Sequence, residues 1–430
     1  MRAIAAGLLS IRVSPAQMPD MNDMPGMNHG AHMNGAEMYL MKMASGTSMN
    51  PGSASMPMLM PRLGSWNFML MGTGFLVETQ QSGPRGGDKF YSPNWFMGSA
   101  EHKLGSGSFM LQSMFSLDAA TITGERYPEL FQTGETAYGK PIVDAQHPHN
   151  FVMSLGIQYA HPLGDKAMLQ LYYAPVGDPA LGPVAFPHRA SAAELPEATL
   201  GHHWQDSTHI AANVATAALK YRWVRLEASG FYGTEPGENR WKFDWGPMNS
   251  YSGRISIAPT ENWMAQFSGG RIKDPERQQQ GDVVRTTASV AYTRPMRNGD
   301  AWSTSLIWGR NHDTLTQRNL NSYLAESVYP LTSKNLVTGR VELVDKDELF
   351  ANDEALEEQL ARSAGTTFRI KEYTFGYTRE IATFKDLAAA LGANVSEYSI
   401  PSAIKPYYGN HPWSVNLFLR LRLVQMKKKT

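Results

Sequence analysis

From about residue 65 to residue 424 the chain alternates apolar and polar residues with a period of two. The stretch SVNLFLRLRL, residues 414–423, shows the pattern clearly. Alternate residues from Val415 to Leu423 are apolar, whereas Asn416, Arg420 and Arg422 fall on the other side. Successive side chains of a β-strand point to opposite faces, so this pattern predicts strands with one apolar and one polar face.

Sixteen segments of this kind can be placed along the chain. They cover residues 65–79, 90–100, 106–116, 149–160, 167–175, 207–219, 222–232, 252–258, 262–272, 283–294, 301–310, 318–328, 335–345, 367–379, 385–396 and 412–424. Every second connection is a compact turn, such as HPLGDK, KYRW, APTEN or TRPMRNGD. The other connections include two of about 30 residues, 117–148 and 176–206, and one of about 20, 346–366.

Short turns at one end and long loops at the other are the layout of an outer-membrane barrel. The sequence therefore predicts an all-β protein, a single transmembrane antiparallel β-barrel of about 16 strands (14 to 18) over residues 65–424. Residues 1–17, with Arg2 before an apolar run, are predicted as a clipped signal peptide. Residues 18–64 are predicted as a flexible, disordered periplasmic leader rich in Met and His, and residues 425–430 as a basic tail.

Composition narrows the classes of partner. Lys and Arg together number 39, as do Asp and Glu, so no overall positive charge would attract nucleic acid. No stretch approaches the eighteen or so apolar residues of a transmembrane helix, so any membrane span is predicted to be made of strands. With 38 glycines and 10% aromatic residues, the composition suits an envelope β-barrel in contact with outer-membrane lipid.

The leader holds 12 of the 24 methionines, all between residues 18 and 60, and the chain contains no cysteine. Thioether sulfur prefers Cu(I) and imidazole accepts either copper oxidation state, so the segment is a candidate copper site. A low-complexity tail with incidental methionines is the alternative. The candidate ligands here are Met18, Met21, Met24, Met27, His29, His32, Met33, Met56, Met58 and Met60.

Histidines also cluster in the two longest predicted loops. DAQHPHN contains Asp144, His147 and His149, and GHHWQDSTH contains His202, His203, Asp206 and His209, with His188 lying between the two motifs. His147 and His149 are two residues apart, so they would share a face of an extended chain and suit two ligands of one ion. The alternative is that these histidines hydrogen-bond to loop backbone and build a constriction. The metal candidates from the loops are His147, His149, His202, His203 and His209.

Two further features depend on the barrel. Residues 347–365 predict a short acidic helix in a long loop, with Leu349, Leu356 and Leu360 on one side. The second feature is a set of charged residues on the polar faces of strands, expected to point into the lumen. There they would either line a pore or pair with one another, and they are Arg225, Glu227, Arg340, Glu342, Arg420 and Arg422.

Several motifs resemble those of a poorly characterised family of bacterial outer-membrane proteins. They are QQSGPRGGDKFYSPNWFM (80–97), DAQHPHNFVMSLGIQYAHPLG (144–164) and LPEATLGHHWQDSTHI (195–210), together with ENRWKFD and SYSGRIS. The chain also consists of a Met- and His-rich leader followed by a barrel. In this arrangement it is similar to the copper-resistance outer-membrane protein B family. That second resemblance implies copper handling at the bacterial outer membrane, with no enzymatic activity established.

Three classes of function remain at this point. The first is a non-enzymatic barrel that binds, sequesters or transports copper or a similar soft metal, with a periplasmic metal carrier as a candidate partner. The second is a general channel or structural barrel. The third is an outer-membrane enzyme, for which Asp144, His147 and His203 would be the first candidates. No nucleophile and base occur at motif spacing, so the first class is favoured.

Overall fold

The computed structural model describes residues 35–54, 56–207, 211–242, 244–276, 281–296 and 300–425. Within these residues the strands are β1 Arg62–Leu63, β2 Trp66–Gln81, β3 Lys89–Tyr91, β4 Asn94–Leu104, β5 Gly107–Phe115, β6 Tyr127–Ala137, β7 Lys140–Gln146, β8 Val152–Leu163, β9 Ala167–Val176, β10 Ala212–Tyr221, β11 Val224–Tyr232, β12 Ser250–Ile257, β13 Trp263–Ile272, β14 Val283–Pro295, β15 Ala301–Asp313, β16 Asn319–Thr332, β17 Asn335–Lys346, β18 Phe368–Phe384, β19 Leu387–Ser399 and β20 Trp413–Leu423. The helices are α1 Gly35–Leu40, α2 Asp118–Thr121, α3 His202–Gln205, α4 Glu354–Ala364 and α5 Lys405–Tyr408.

Sixteen of these strands form a closed antiparallel barrel: β2, β4, β5 and β8 to β20. The first and last barrel strands close the cylinder, with Leu76 of β2 opposite Leu419 of β20. β1 and β3 extend the pairing at β2, and β6 with β7 forms a separate hairpin in the loop between β5 and β8. The predicted barrel of about 16 strands is confirmed, and each predicted segment overlaps one barrel strand.

The alternation of connection lengths also has the predicted form. The short-turn rim holds connections such as residues 105–106 and 222–223, and the long-loop rim holds residues 116–151, 177–211 and 347–367. Among the described residues, no helix is long and apolar enough to cross a membrane.

The outer surface of the barrel is apolar and its inner surface is polar. Along β20, Leu417 is 56% exposed, whereas Asn416 and Arg420 on the opposite face are buried. Near the short-turn rim an aromatic row crosses neighbouring strands, with ring contacts that join Trp263, Tyr292, Trp302 and Tyr329 in turn. Apolar outer faces bordered by aromatic residues are typical of barrels in lipid.

Charged residues on the inner faces form ion pairs. Arg254 Nε lies 2.8 Å from Glu227, and Arg340 Nε lies 3.4 Å from Glu326. Arg420 pairs with Glu194 of a long loop. The sequence leaves two arrangements open, charged residues that line a pore or charged residues that pair with one another. The structure has the second arrangement.

The long loop after β9 folds into the lumen, and residues 177–207 are called the inner loop below. Its backbone bonds to wall side chains on several strands, since Gly182 N donates to Ser268 Oγ at 2.8 Å and Leu200 N donates to Glu342 at 3.1 Å. On the other side of the lumen, Asn394 Nδ2 donates to Glu197 at 2.9 Å. The inner loop thus crosses the barrel and bonds to opposite walls.

A second segment, residues 35–61, also lies inside the barrel and is called the plug segment. Its helix α1 packs against β5 and β8, and Tyr39 donates a 2.9 Å hydrogen bond to Gln170. Thr47 donates to Glu227 at 2.6 Å and accepts from Arg254 at 3.0 Å. This part of the predicted flexible leader is therefore ordered, because charged wall residues satisfy its polar groups. Residues 1–34 lie outside the described residues.

The long loop after β17 contains the predicted acidic helix, observed as α4. Asp353 caps its first turn by accepting a 3.1 Å hydrogen bond from Leu356 N. Leu360 is buried, and Leu349 and Leu356 pack in the same cluster. This cluster includes Phe131 of the β6–β7 hairpin and Tyr408 of α5, so the long loops pack together at the rim.

Candidate metal centre

Three histidines from the two longest loops converge at one point. His147 directly follows β7, whereas His202 and His203 are the first residues of α3 in the inner loop. One ring nitrogen from each of the three lies within 4.8 Å of the others. An ion held at about 2.0 Å from each nitrogen would separate the nitrogens by roughly 3.4 Å, so small side-chain rotations would complete the site. These residues are called the histidine triad below.

Hydrogen bonds to backbone fix the orientation of two rings. Nδ1 of His147 donates to the carbonyl oxygen of Pro148 at 3.0 Å, and Nδ1 of His202 donates to that of Thr199 at 2.7 Å. A carbonyl oxygen can only accept, so these two contacts favour a proton on Nδ1. Nε2 of the Gln132 amide, 3.1 Å from Nδ1 of His202, favours the opposite tautomer of that ring. Such outer-shell bonds are typical of histidines that bind metal.

A carboxylate adjoins the triad. Oε1 of Glu135, in the β6–β7 hairpin, lies 3.1 Å from Nε2 of His147, and its other oxygen pairs with Arg240. Three imidazoles are a donor set that suits Cu(II) or Zn(II), and the carboxylate contacts this set through His147. Glu135 could not be predicted as a neighbour of these histidines, because its approach depends on how the hairpin folds over the inner loop.

Burial keeps the triad uncharged. It lowers the pKa of His202 to about 3, even though the bond to Thr199 acts in the opposite direction. Burial also lowers the pKa values of His147 and His203 well below the ordinary value, and nearby Arg240, Lys346 and Arg285 add to the effect. A neutral imidazole is the form that binds a metal ion.

The sequence predicts His147 and His149 as two ligands of one ion, but the structure does not group His149 with His147. Nδ1 of His149 lies 2.6 Å from Asp118, and the backbone N–H of His149 donates to the same carboxylate. This contact turns His149 toward α2, while His147 turns toward α3. The histidines that lie near His147 come instead from the inner loop. His209 lies outside the described residues.

Asp144, a candidate for the enzyme alternative, is engaged elsewhere. Its carboxylate lies 2.6 Å from Nε of Arg85, and it accepts hydrogen bonds from Phe131 N at 2.8 Å and from Tyr408 at 3.2 Å. It therefore ties the β6–β7 hairpin to two other loops, a structural role that explains its burial.

The leader candidates fall into two groups. Met18, Met21, Met24, Met27, His29, His32 and Met33 lie outside the described residues. Met56, Met58 and Met60 belong to the plug segment and pack against methionines of the barrel wall. The sequence predicts a disordered leader, but the barrel wall provides a packing surface for these three methionines.

Comparison with known proteins places the fold. No family model and no curated protein matches the chain. OmpF of Salmonella typhi, solved as a complex with daunomycin, is similar with a TM-score of 0.51 at 9% identity, covering 85% of this chain and 100% of that one. OprB of Pseudomonas putida has a TM-score of 0.50 at 11% identity, covering 84% of this chain and 94% of that one. The chain therefore has the fold of bacterial outer-membrane barrels, which supports an outer-membrane location in contact with lipid.

Proposed function

We propose that this protein is a non-enzymatic outer-membrane barrel that binds a transition metal, copper in the first place, and takes part in its sequestration or transport. The observation that carries the proposal is the convergence of His147, His202 and His203 within 4.8 Å. Two loops separated by a pair of barrel strands supply these ligands. Convergence of neutral imidazoles from separate elements is the arrangement expected of a metal site.

The leader supports copper as the metal. Its thioethers and imidazoles between Met18 and Met33 suit Cu(I) and Cu(II) in an oxidising compartment. We place this part of the leader in the periplasm, where a soluble metal carrier could deliver ions to it. The resemblance in plan to the copper-resistance outer-membrane protein B family points in the same direction.

The filled lumen favours this proposal over a general channel. The plug segment and the inner loop both lie within the barrel, and buried ion pairs such as Arg254 with Glu227 hold them there. A barrel of sixteen strands would otherwise leave a wide aqueous channel. Filling such a barrel with bonded segments suits a selective protein better than an open pore.

Cu(II) binding by the full-length protein in detergent tests the proposal. We expect electron paramagnetic resonance to show a Cu(II) ion with several nitrogen ligands. In a His203→Gln variant the affinity of this site should fall by about 100-fold or more, because even outer-shell changes cost 10–100-fold. The same variant should reduce the copper tolerance of cells that depend on the protein.

A His312→Gln variant is the matched control. His312 lies on β15 toward the long-loop rim, and its Nδ1 contacts Asn319 at 3.0 Å, outside the triad. Its Cu(II) affinity should equal that of the unmodified protein. Equal affinities in all three proteins would overturn the assignment of the triad as the copper site.

A further inference from the structure

Three inward-facing methionines form a row across neighbouring strands. Met71 of β2 is directly opposite Met97 of β4, and Met97 is directly opposite Met114 of β5. All three are buried and form one cluster. Side chains at directly paired positions lie about 4.5–5.5 Å apart at Cβ, so flexible thioethers can bring their sulfur atoms together. This row is called the methionine row below.

The inner loop places a histidine against this row. Nε2 of His188 lies 3.1 Å from Sδ of Met114. Its Nδ1 is buried and has no hydrogen-bond partner among the described residues. The side chain is only 3% exposed, so the imidazole is held in an apolar surrounding with an unsatisfied nitrogen.

Residues of the plug segment contact both the methionine row and the inner loop near His188. Met56 and Met58 pack against the methionine row. Asn50 binds the backbone of the inner loop on both sides of Arg189. Its Nδ2 donates to the carbonyl oxygen of His188 at 2.9 Å, and its Oδ1 accepts from Ala190 N at 3.3 Å. The site therefore forms where a segment next to the short-turn rim meets a loop from the opposite rim.

An aromatic ring covers the imidazole. Trp95 lies on the same face of β4 as Met97, and its ring centroid is 4.6 Å from that of His188. The face of an indole attracts cations, most strongly where water is excluded. A cavity of about 180 Å³ adjoins these groups and is lined by Met56, Met71, Trp95 and His188.

Methionine side chains also fill hydrophobic cores. A second methionine cluster inside the barrel is an example of such packing. Met69 of β2 and Met110 of β5 are equally buried, and they pack with Tyr39 and Leu40 of α1. Among the described residues, no histidine is found in hydrogen-bond contact with a sulfur atom of that cluster. The methionine row differs by having an imidazole nitrogen at the sulfur atom of Met114 and a cavity beside the row.

We infer that Met71, Met97, Met114 and His188 form a luminal binding site for a soft monovalent cation, Cu(I) or Ag(I), with Trp95 covering the bound ion. Thioether sulfur and imidazole nitrogen are the donors that such ions prefer, and neither donor requires a charged ligand in the buried lumen. The inference deepens the proposed function and rests on it, since it supplies a second site for the same metal.

The cavity extends from the methionine row toward the histidine triad. It extends from Met56 and Met71 to His149 and Phe186, and the ring of Phe186 lies 6.1 Å from that of His202 in the histidine triad. A thioether site in the lumen and an imidazole site near the long-loop rim thus mark successive positions along the barrel. The first suits the reduced ion and the second suits the oxidised ion.

A silver titration of the full-length protein in detergent tests the luminal site. The variant is M71L/M114L, and the matched control is M69L/M110L, which alters methionines of similar burial on the same two strands. We expect the M71L/M114L protein to lose one tight Ag(I) equivalent, with affinity at that site reduced by 100-fold or more. The control should keep that equivalent, and X-ray absorption of its silver complex should show both sulfur and nitrogen ligands.

Two outcomes would overturn the site. One is an unchanged number of tight Ag(I) equivalents in M71L/M114L, and the other is equal loss in the control. Migration of unheated protein on gels shows whether each variant retains a closed barrel. A His188→Phe variant gives a second measurement, because it should remove the nitrogen ligand from the silver spectrum while the methionines remain.

The same proteins separate this site from the proposed function. The Cu(II) resonance of the histidine triad should be unchanged in M71L/M114L. Loss of the silver site with an intact Cu(II) site supports both assignments. A protein that binds Cu(II) at the triad but shows no sulfur-bound silver contradicts only the luminal site. Silver binding without a triad signal contradicts only the triad.

Discussion

Buried histidines without charge are the main feature at the scale of single residues. His202 is 1% exposed, and its pKa of about 3 means that it remains neutral in the folded, metal-free protein at any ordinary pH. In the unfolded chain a histidine takes up a proton near pH 6.5. Between these two values the unfolded state binds more protons, so the stability of the docked inner loop rises with pH and falls on acidification.

We therefore predict that acid loosens the inner loop of the metal-free protein. Lowering the pH from 7 to 5 should cost about 2 kcal/mol of local stability through His202 alone. Hydrogen exchange of residues 195–207, corrected for the intrinsic pH dependence, should show faster opening at pH 5. A His202→Gln variant should lose that part of the pH dependence. Equal slopes in the two proteins would contradict the buried, neutral state of His202.

At the scale of structural elements, the plug segment depends on a few polar contacts with the wall. Thr47 is the clearest case, because its hydroxyl lies between Glu227 and Arg254 and its carbonyl oxygen accepts from Arg225. The two arginines and the glutamate are buried and belong to β11 and β12. Loss of the hydroxyl would leave these charged groups with fewer partners.

We predict that Thr47→Val releases the plug segment without unfolding the barrel. Valine keeps the shape of threonine but leaves a buried hydrogen bond unmade, which costs about 1–3 kcal/mol. Hydrogen exchange and proteolysis of residues 35–61 should accelerate, while the barrel strands remain protected. Ser53→Ala is the control, because Ser53 Oγ donates to the carbonyl oxygen of Thr293 and accepts from Asn262 Nδ2 at the short-turn rim, and neither partner is charged. Unchanged protection in Thr47→Val would show that other contacts hold the plug.

The barrel elements could be predicted from the sequence, because a period of two and alternating connection lengths are local properties. Leu417 and Arg420 indicate their faces without reference to any other strand. The plug segment could not be predicted, since its composition resembles that of a disordered tail and its partners, such as Glu227, lie far away in the sequence. The methionine row could not be predicted either, because only the register of three strands aligns Met71, Met97 and Met114.

The histidine site was predicted in part. The HPH and GHH motifs contain the three residues of the triad, and both were placed on the same rim. The choice of His149 as a co-ligand of His147 was not supported, because a carboxylate from another loop, Asp118, takes up His149. The packing of the loops decides which histidines lie together, and a single sequence does not reveal that packing.

At the scale of the whole molecule, two segments from different parts of the chain fill the lumen. Contacts of the inner loop reach from Ser268 on one wall to Asn394 on another, and the plug segment occupies space near Glu227 and Gln170. A sixteen-stranded barrel with an empty interior conducts ions freely. The arrangement of this protein predicts low conductance.

We predict that the unmodified protein shows little ion conductance in planar bilayers and that a T47V/N50A variant raises it by a few-fold, because plug release opens the part of the lumen that the inner loop does not fill. Asn50 is included because it joins the plug to the inner loop. Single-channel recording measures the effect, with Ser53→Ala as the control. Large, open channels in the unmodified protein would contradict a lumen held closed by these contacts.

The pairing of β2 with β20, which closes the cylinder, imposes an order of assembly. The plug segment leads directly into β2, yet its Thr47 contacts Glu227 and Arg254 on strands far from that junction. Those contacts form inside a space that exists only once the last pair of strands has joined. Joining this one strand pair therefore creates the enclosed space that the plug and inner loop fill, and the contacts of Thr47 with both wall strands are completed only in the closed barrel.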